Sequence, residues 1–399
     1  MRFEKRWVYL FLFWLINFCL GSFYAWSVYS SWLSQHYSDV AQATITTASL
    51  TYIFSIGAAL NPVAMITGGC LSDRFGPKIV LFAGGLMVAL GYFLMAISDS
   101  PSLLLLGYGI ALGMGSGACV IATVTTAVKL FPEMRGFAGG SVSAFYGVGS
   151  ICLAPVANAF AQQMGISTTL IVFSVVCLIV IWASAFIVNI KPTTAKVSTE
   201  NSSDLNWLGM IKTARFWAMF VLFVVVTLSP LMLFSQTVTV AQAQIHLSLP
   251  VAVLSISVLA CANTMARFLA GILSDRIGRV NTITIAVCLS LTGLGLLSLA
   301  GNGDQWLFFA GLICIGACFG SSVGVFPSYT AEQFGVSHTS MNYGVLALAF
   351  SVAGLIGPNI IQLTVTNGNY QTAYQAAMII SSLGLVAAYF CRRFELKTK

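Results

Sequence analysis

The chain has 399 residues, of which 58% are hydrophobic and only 7% are charged. No soluble domain of this length can bury so much apolar surface, so lipid must be its solvent. The formal net charge is +7, and the placement of its basic residues indicates membrane topology and requires no nucleic-acid partner.

Twelve apolar runs follow one another along the chain. A helix needs about 20 apolar residues to cross a hydrocarbon core of about 30 Å, so twelve spans nearly exhaust the sequence. The first run is longer than the apolar part of a secretory signal, and we expect it to be retained as a helix. The predicted spans are residues 7–30, 45–69, 79–98, 102–127, 137–160, 167–190, 216–240, 250–272, 281–300, 306–328, 342–365 and 372–391.

The longest hydrophilic stretch, from Lys191 to Lys212, lies between the sixth and seventh runs. Its Ser, Thr, Asn and Lys content is typical of a linker between domains. The sequence therefore predicts a six-helix bundle over residues 1–190, a cytoplasmic linker over 191–215 and a second six-helix bundle over 216–399.

The basic residues are distributed very unequally between the two sides of the predicted membrane. If the N-terminus is cytoplasmic, every Lys and Arg except Arg267 falls in a cytoplasmic segment. The positive-inside rule then places both termini in the cytoplasm and requires an even number of spans. We expect a multi-pass protein of the cell inner membrane whose partner is the lipid bilayer.

An octapeptide repeats at equivalent places in the two halves. Gly69 to Gly76 reads GCLSDRFG and Gly271 to Gly278 reads GILSDRIG, each after the second span of its half. A solvated turn would explain the bases but not the recurrence of the octapeptide. We interpret the two copies as a conformational latch in which carboxylates accept helix N–H groups or pair with bases in one state. The predicted latch residues are Asp73, Arg74, Asp275, Arg276 and Arg279.

These octapeptides resemble the signature loop of the major facilitator superfamily, with Pro77 in place of an arginine in the first copy. Further motifs make the chain similar to the oxalate/formate antiporter branch of that superfamily. The resemblance implies an all-α membrane protein whose twelve transmembrane helices form two six-helix bundles with pseudo-two-fold symmetry. The motifs are Tyr24-Ala-Trp26-Ser-Val-Tyr29, Phe131-Pro-Glu-Met-Arg-Gly136, Phe326-Pro-Ser328 and Asn342-Tyr-Gly344.

One basic residue, Arg267, lies in the middle of the eighth predicted span. It is eight residues before Asp275, which is about 12 Å along a helix axis. An arginine at that depth costs several kcal/mol unless it faces water, an acid or an anionic ligand, and no Asp or Glu lies inside any predicted span. Arg267 either stabilises a broken helix or snorkels, or it binds a carboxylate, with Asn263 donating a neutral hydrogen bond to the same ligand.

In the family that the chain resembles, an arginine at this place in helix eight binds the substrate carboxylate, and oxalate carriers also have a lysine in helix eleven. Here the lysine position is Phe350, whereas the aromatic Tyr146 of helix five is kept. We therefore expect a monocarboxylate such as formate, lactate or pyruvate. Of Tyr24, Trp26 and Tyr29, one or two are expected to face the pore, because positions 24 and 26 lie about 200° apart on a helix.

The sequence favours a secondary transporter that works by alternating access and exchanges one anion for another. Proton-coupled symport is the main alternative, with the proton carried by His246 or by the substrate. A transport-inactive membrane sensor of a carboxylate is an alternative from another functional class. The sequence contains no catalytic constellation or metal-ligand cluster, so we expect a monomer that is not an enzyme and needs no cofactor.

Overall fold

A computed structural model describes residues 3–26, 28–33, 47–190, 204–234, 236–365 and 370–396. Within these ranges the regular structure is helical, and twelve helices are long and apolar enough to cross a membrane. The predicted all-α membrane architecture with twelve spans is confirmed. Most of the predicted linker, residues 191–203, lies outside the described residues.

The first six spans differ in how regular they are. A 3₁₀ segment, Gly21–Ala25, extends the first helix, and the fourth span contains a π-helical segment, Leu105–Leu112. The helices are α1 Phe3–Leu20, α2 Thr47–Phe75, α3 Pro77–Ala96, α4 Pro101–Leu104 continued through Gly113–Leu130, α5 Arg135–Met164 and α6 Ile166–Ile187.

The last six spans include one that is interrupted at Ala347, which separates its two helical parts. Two short helices, Trp207–Ile211 and Thr237–Ala243, lie outside the spans. The spans are α7 Ala214–Phe234, α8 Leu249–Ile277, α9 Arg279–Leu299, α10 Gln305–Phe334, α11 Thr339–Leu346 with Leu348–Thr364, and α12 Gln371–Leu396.

The chain divides into two compact units, and α5 and α11 each contribute to both. The first unit contains α1 to α4, the part of α5 from Phe145 onward, α6, and the segment Phe334–Val345 at the start of α11. The second contains α7 to α10, α12, the segment Pro132–Ala144 at the start of α5, and α11 from Leu346 onward. Domain boundaries at residues 190 and 216 stay a prediction.

The connection between α2 and α3 is much shorter than the predicted spans suggested. Asp73 lies in the last turn of α2, and only Gly76 separates this helix from α3; Asp275 and Gly278 repeat the arrangement between α8 and α9. Gly76 has φ 89° and Gly278 has φ 93°, a backbone conformation that side chains with a Cβ rarely adopt. The two aspartates are therefore helical residues, and their placement in loops was wrong. A falling hydropathy marks where apolar residues stop, and a helix can continue past that point.

Candidate functional site

Arg267 lies on α8, ten residues before the end of the helix at Ile277, which is about 15 Å along the axis. Its side chain is buried, with 6% of its surface exposed. Its Nε donates to Oδ1 of Asn263 at 3.2 Å, and its Nη1 donates to the carbonyl oxygen of Ser143 at 3.0 Å. Both acceptors are neutral. These two contacts therefore fix the orientation of the guanidinium without bringing a negative charge to it.

Asn263 makes a contact that the sequence analysis did not include: its Oδ1 accepts from Arg267 one helical turn away. Asn263 thus orients the guanidinium. Its Nδ2 group is a separate donor, so the predicted hydrogen bond from Asn263 to a ligand stays a prediction. The Ser143 carbonyl was not expected at all, because it comes from α5, 124 residues away.

Glycine spacing is the sequence signal that could have revealed this close approach of helices. A Cβ on Gly140 of α5 would lie 2.5 Å from the carbonyl oxygen of Arg267, and a Cβ on Gly324 of α10 would lie equally close to it. Gly136 and Gly320 occupy positions four residues earlier and also pack against α8 backbone. Two glycine pairs with a spacing of four therefore allow α5 and α10 to approach the segment of α8 that carries Arg267.

One phenylalanine, Phe319, lies beside the guanidinium in the second unit, and two others pack against it. The Cζ atom of Arg267 is 6.0 Å from the ring centroid of Phe319, a cation–π distance. The Phe319 ring is 5.8 Å from that of Phe350 and 5.5 Å from that of Phe234. Phe350, a predicted site residue, therefore belongs to the same cluster as Arg267, and the surface that these rings form is apolar.

In the first unit, two predicted site residues contact each other. The rings of Tyr24 and Tyr146 meet edge to face with centroids 5.5 Å apart, and 46% of Tyr24 is exposed. The Tyr146 hydroxyl is 3.2 Å from the hydroxyl of Ser116. This pair presents phenol groups at a partly exposed place.

The other two aromatic residues of the predicted set pack inside the first unit. Trp26 is buried, and its ring centroid lies 4.0 Å from that of Tyr108. Tyr29 is fully buried between Tyr92 and Phe173, with centroids 6.0 and 6.2 Å away. Their contacts are those of core residues, and their role in binding stays a prediction.

Asp275 binds the start of α5. Its two carboxylate oxygens accept hydrogen bonds of 2.8 Å from the backbone N–H groups of Gly136 and Phe137. The first N–H groups of a helix have no partner within the helix, and the helix dipole places partial positive charge there. The carboxylate of Asp275 accepts from two of these N–H groups and places a negative charge at the positive end of the helix dipole.

A base on the next helix completes this arrangement. Nη1 of Arg279 lies 2.7 Å from Oδ1 of Asp275, and Nη2 lies 2.6 Å from Oε1 of Glu332 on α10. Arg279 is buried, with 6% exposed. A chain of alternating charges thus joins the end of α8, the start of α9 and the end of α10.

Asp73 repeats the interaction with the start of α11. Its Oδ2 accepts from the N–H of Met341 at 2.9 Å, and its Oδ1 accepts from the N–H of Ser340 at 3.4 Å. Nζ of Lys129 on α4 lies 2.7 Å from the same Oδ1. Each aspartate of the repeat therefore binds the N-terminus of a helix that is distant in sequence, α11 for Asp73 and α5 for Asp275.

Of the three bases predicted for the latch, Arg279 contacts an aspartate, and Arg74 and Arg276 are placed elsewhere. Arg74 is exposed, with its guanidinium 5.1 Å from the ring centroid of Phe75, and Arg276 is also exposed. Among the described ion pairs, the bases that contact Asp73 and Asp275 are Lys129 and Arg279. Consecutive residues on a helix point about 100° apart, so a base directly after the aspartate faces another direction.

Twelve candidate membrane spans, with the same octapeptide after the second span of each half, are typical of a membrane transporter. Residues 10–358 match the Major Facilitator Superfamily, and the chain belongs to that family. It is therefore a multi-pass membrane transporter, not an enzyme.

Known proteins of the family resemble the chain over most of its length. An uncharacterized MFS-type transporter of Escherichia coli, YhjX, is 31% identical, with 88% of this chain and 86% of that protein covered. The oxalate:formate antiporter of Oxalobacter formigenes is 28% identical, with 97% and 91% covered. The crystal structure of the transporter FucP superposes with a TM-score of 0.71 at 15% identity, covering 96% of this chain and 99% of that one, so it supports the fold alone.

We expect Asp275→Asn to loosen the start of α5, because the amide keeps the shape but loses the charge that binds two helix N–H groups and Arg279. A hydrogen bond to a charged group contributes about 1.5–3 kcal/mol, so amide hydrogen exchange over residues 135–140 should be about tenfold faster or more. Mass spectrometry of the purified protein measures it. Asp304→Asn, in a surface turn, is the matched control, and unchanged exchange in Asp275→Asn would contradict this role.

Proposed function

We propose that this transporter carries a small monocarboxylate by alternating access, with Arg267 as the group that binds the carboxylate. The observation that carries the proposal is a buried guanidinium at mid-helix depth that is oriented by Asn263 and the Ser143 carbonyl and lies beside the ring of Phe319. A carboxylate accepts hydrogen bonds from guanidinium more strongly than a carbonyl does and can accept two in parallel. It therefore competes effectively with the Ser143 carbonyl for Nη1.

The surroundings of Arg267 favour an anion with one carboxylate. Phe319 lies beside the guanidinium, and Phe350 packs against Phe319. A second carboxylate next to these apolar rings would lose its hydration, and neither ring offers a base to pair with it. A hydrogen atom or short alkyl group is compatible with the rings. Formate, lactate and pyruvate are the candidates, and the similarity to an oxalate:formate antiporter supports small carboxylates as the substrate class.

Anion exchange is the transport mode that this electrostatic arrangement favours. Closing the site around Arg267 removes its positive charge from water, which is costly unless a negative charge accompanies it. A bound monocarboxylate supplies that charge, so the loaded carrier changes conformation faster than the empty one. Return of the carrier is then fastest with a second anion bound.

Asp73 and Asp275 form the proposed latch of the alternating-access cycle, and Arg279 is the base that pairs with Asp275. Each aspartate binds the start of a long helix, α11 for Asp73 and α5 for Asp275. Separating α2 from the start of α11, or α8 from the start of α5, breaks these charge-assisted hydrogen bonds. The latch therefore stabilises the conformation in which both contacts exist. By the positive-inside rule, these ends and both termini lie in the cytoplasm.

We expect Arg267→Lys to weaken monocarboxylate binding about tenfold or more, because lysine keeps the charge but loses the planar pair of donors. Arg267→Met should abolish saturable uptake of formate, lactate and pyruvate into proteoliposomes. Arg393→Lys, at an exposed end of α12, is the matched control and should behave as the wild type. Wild-type affinity in Arg267→Met would rule out Arg267 as the binding group.

We expect Phe350→Lys to create recognition of oxalate, because an ammonium group then joins the cluster that contains Arg267. Competition of oxalate against labelled formate uptake measures the change, and its inhibition constant should fall about tenfold or more. Phe350→Leu, which keeps the position apolar, should leave oxalate a poor competitor. If the lysine variant is no better inhibited by oxalate than the leucine variant, the charge at this position does not determine substrate class.

A further inference from the structure

The two copies of the octapeptide differ at one position that matters for charge. Aligning Asp73 with Asp275 and Gly76 with Gly278 places Pro77 opposite Arg279. Both residues begin a helix, α3 in one case and α9 in the other. In the second copy Arg279 is the base that pairs with the aspartate four residues earlier. In the first copy, the proline is uncharged and cannot pair with Asp73.

The backbone of the two copies is nearly the same at this turn. Gly76 has φ 89° and ψ 162°, and Gly278 has φ 93° and ψ 157°. A side chain at position 77 therefore leaves the backbone in the same direction, relative to Asp73, as Arg279 does relative to Asp275. The difference between the copies lies in the side chain and not in the geometry of the chain.

In the first unit, the base that pairs with the aspartate comes from a different helix. Nζ of Lys129, in the last turn of α4, lies 2.7 Å from Oδ1 of Asp73, the same distance that separates Arg279 from Asp275. The Asp73 side chain is 5% exposed and that of Lys129 is 17% exposed. A carboxylate this deeply buried is strongly destabilising without a compensating charge.

Lys129 also lies next to the helix end that Asp73 binds. Its Nζ is 3.5 Å from the hydroxyl oxygen of Ser340, and that hydroxyl is 2.8 Å from Oγ1 of Thr125, also on α4. Ser340 is one of the two residues whose N–H groups donate to Asp73. The base therefore contacts both partners of the interaction between α2 and α11.

We propose that Lys129 is the base of the latch in the first unit, replacing the arginine that Pro77 excludes from the repeat. The pair Asp73–Lys129 connects α2 to α4, just as the chain Asp275–Arg279–Glu332 connects α8 to α10 at the equivalent place of the second copy. Lys129 acts through Asp73 and is a positioning residue: it holds the carboxylate directed at the N–H groups of Ser340 and Met341.

The inference rests on the latch proposed above, so the experiment tests the latch and the role of Lys129 with different variants. Amide hydrogen exchange over residues 339–345 of the purified full-length protein reports how often Ser340 and Met341 lose their bonds to Asp73. Asp73→Asn should accelerate this exchange about tenfold. If it does not, the latch itself is wrong, whatever Lys129 does.

The test of Lys129 removes its positive charge and then adds a positive charge at position 77, which is equivalent to Arg279 in the repeat. We expect Lys129→Met to accelerate exchange over residues 339–345 about fivefold or more, and Lys129→Arg to stay near the wild type. Adding Pro77→Arg to Lys129→Met should return exchange to within about twofold of the wild type, because the new arginine reaches Asp73 as Arg279 reaches Asp275.

A purely structural role of the lysine stem predicts a different result, since an arginine at position 77 cannot replace packing on α4. Acceleration by Asp73→Asn without acceleration by Lys129→Met would overturn the proposal, as would a double variant that exchanges as fast as Lys129→Met. If Lys129→Met does not fold, the double variant decides: recovery of a folded protein with slow exchange supports the proposal, and failure to fold contradicts it.

Discussion

A cation inside a hydrocarbon layer must be compensated within the protein or by what the protein binds, and Arg267 imposes this constraint on the site. Its position on α8 is buried, its Nε and Nη1 are oriented by Asn263 and by the Ser143 carbonyl, and the ring of Phe319 lies beside it. Oriented donors with a positive charge bind a carboxylate with little loss of side-chain entropy. The choice of substrate and the preference for exchange both follow from this single group in the proposed mechanism.

The contact between α5 and α8 connects the proposed binding site to the proposed latch. The same helix α5 contributes the Ser143 carbonyl to Arg267 and the N–H groups of Gly136 and Phe137 to Asp275. Arg267 and Asp275 are eight residues apart on α8, about 12 Å along its axis. An anion that takes Nη1 from Ser143 removes one of the bonds between these helices, and the bonds at Asp275 remain. In the proposed mechanism, α5 and α8 are therefore the pair of helices through which binding and gating are coupled.

Composition and periodic apolar runs predicted the twelve helices, because burial in lipid leaves few other structures for such a chain. The repeated octapeptide directed attention to Asp73 and Asp275, each of which contacts the N-terminus of a helix; their role as a latch stays a prediction. The partners of these residues could not be predicted, since Gly136, Met341 and Lys129 are distant in sequence and approach only in the folded chain. Arg267 was recognisable as an isolated charge, whereas the Ser143 carbonyl carries no signal in residue type. Trp26 and Tyr29 show the converse difficulty, because an aromatic residue in a span looks the same whether it lines a pore or fills a core.

The account is tested most directly by the efflux of a labelled monocarboxylate from proteoliposomes, measured with and without the same unlabelled anion outside. If Arg267 must be neutralised by a bound anion before the carrier changes conformation, external anion should accelerate efflux at least about tenfold, and replacing it with a sugar of equal osmolarity should not. Equal efflux in the presence and absence of external anion would contradict the requirement for an anion at Arg267 during the return step.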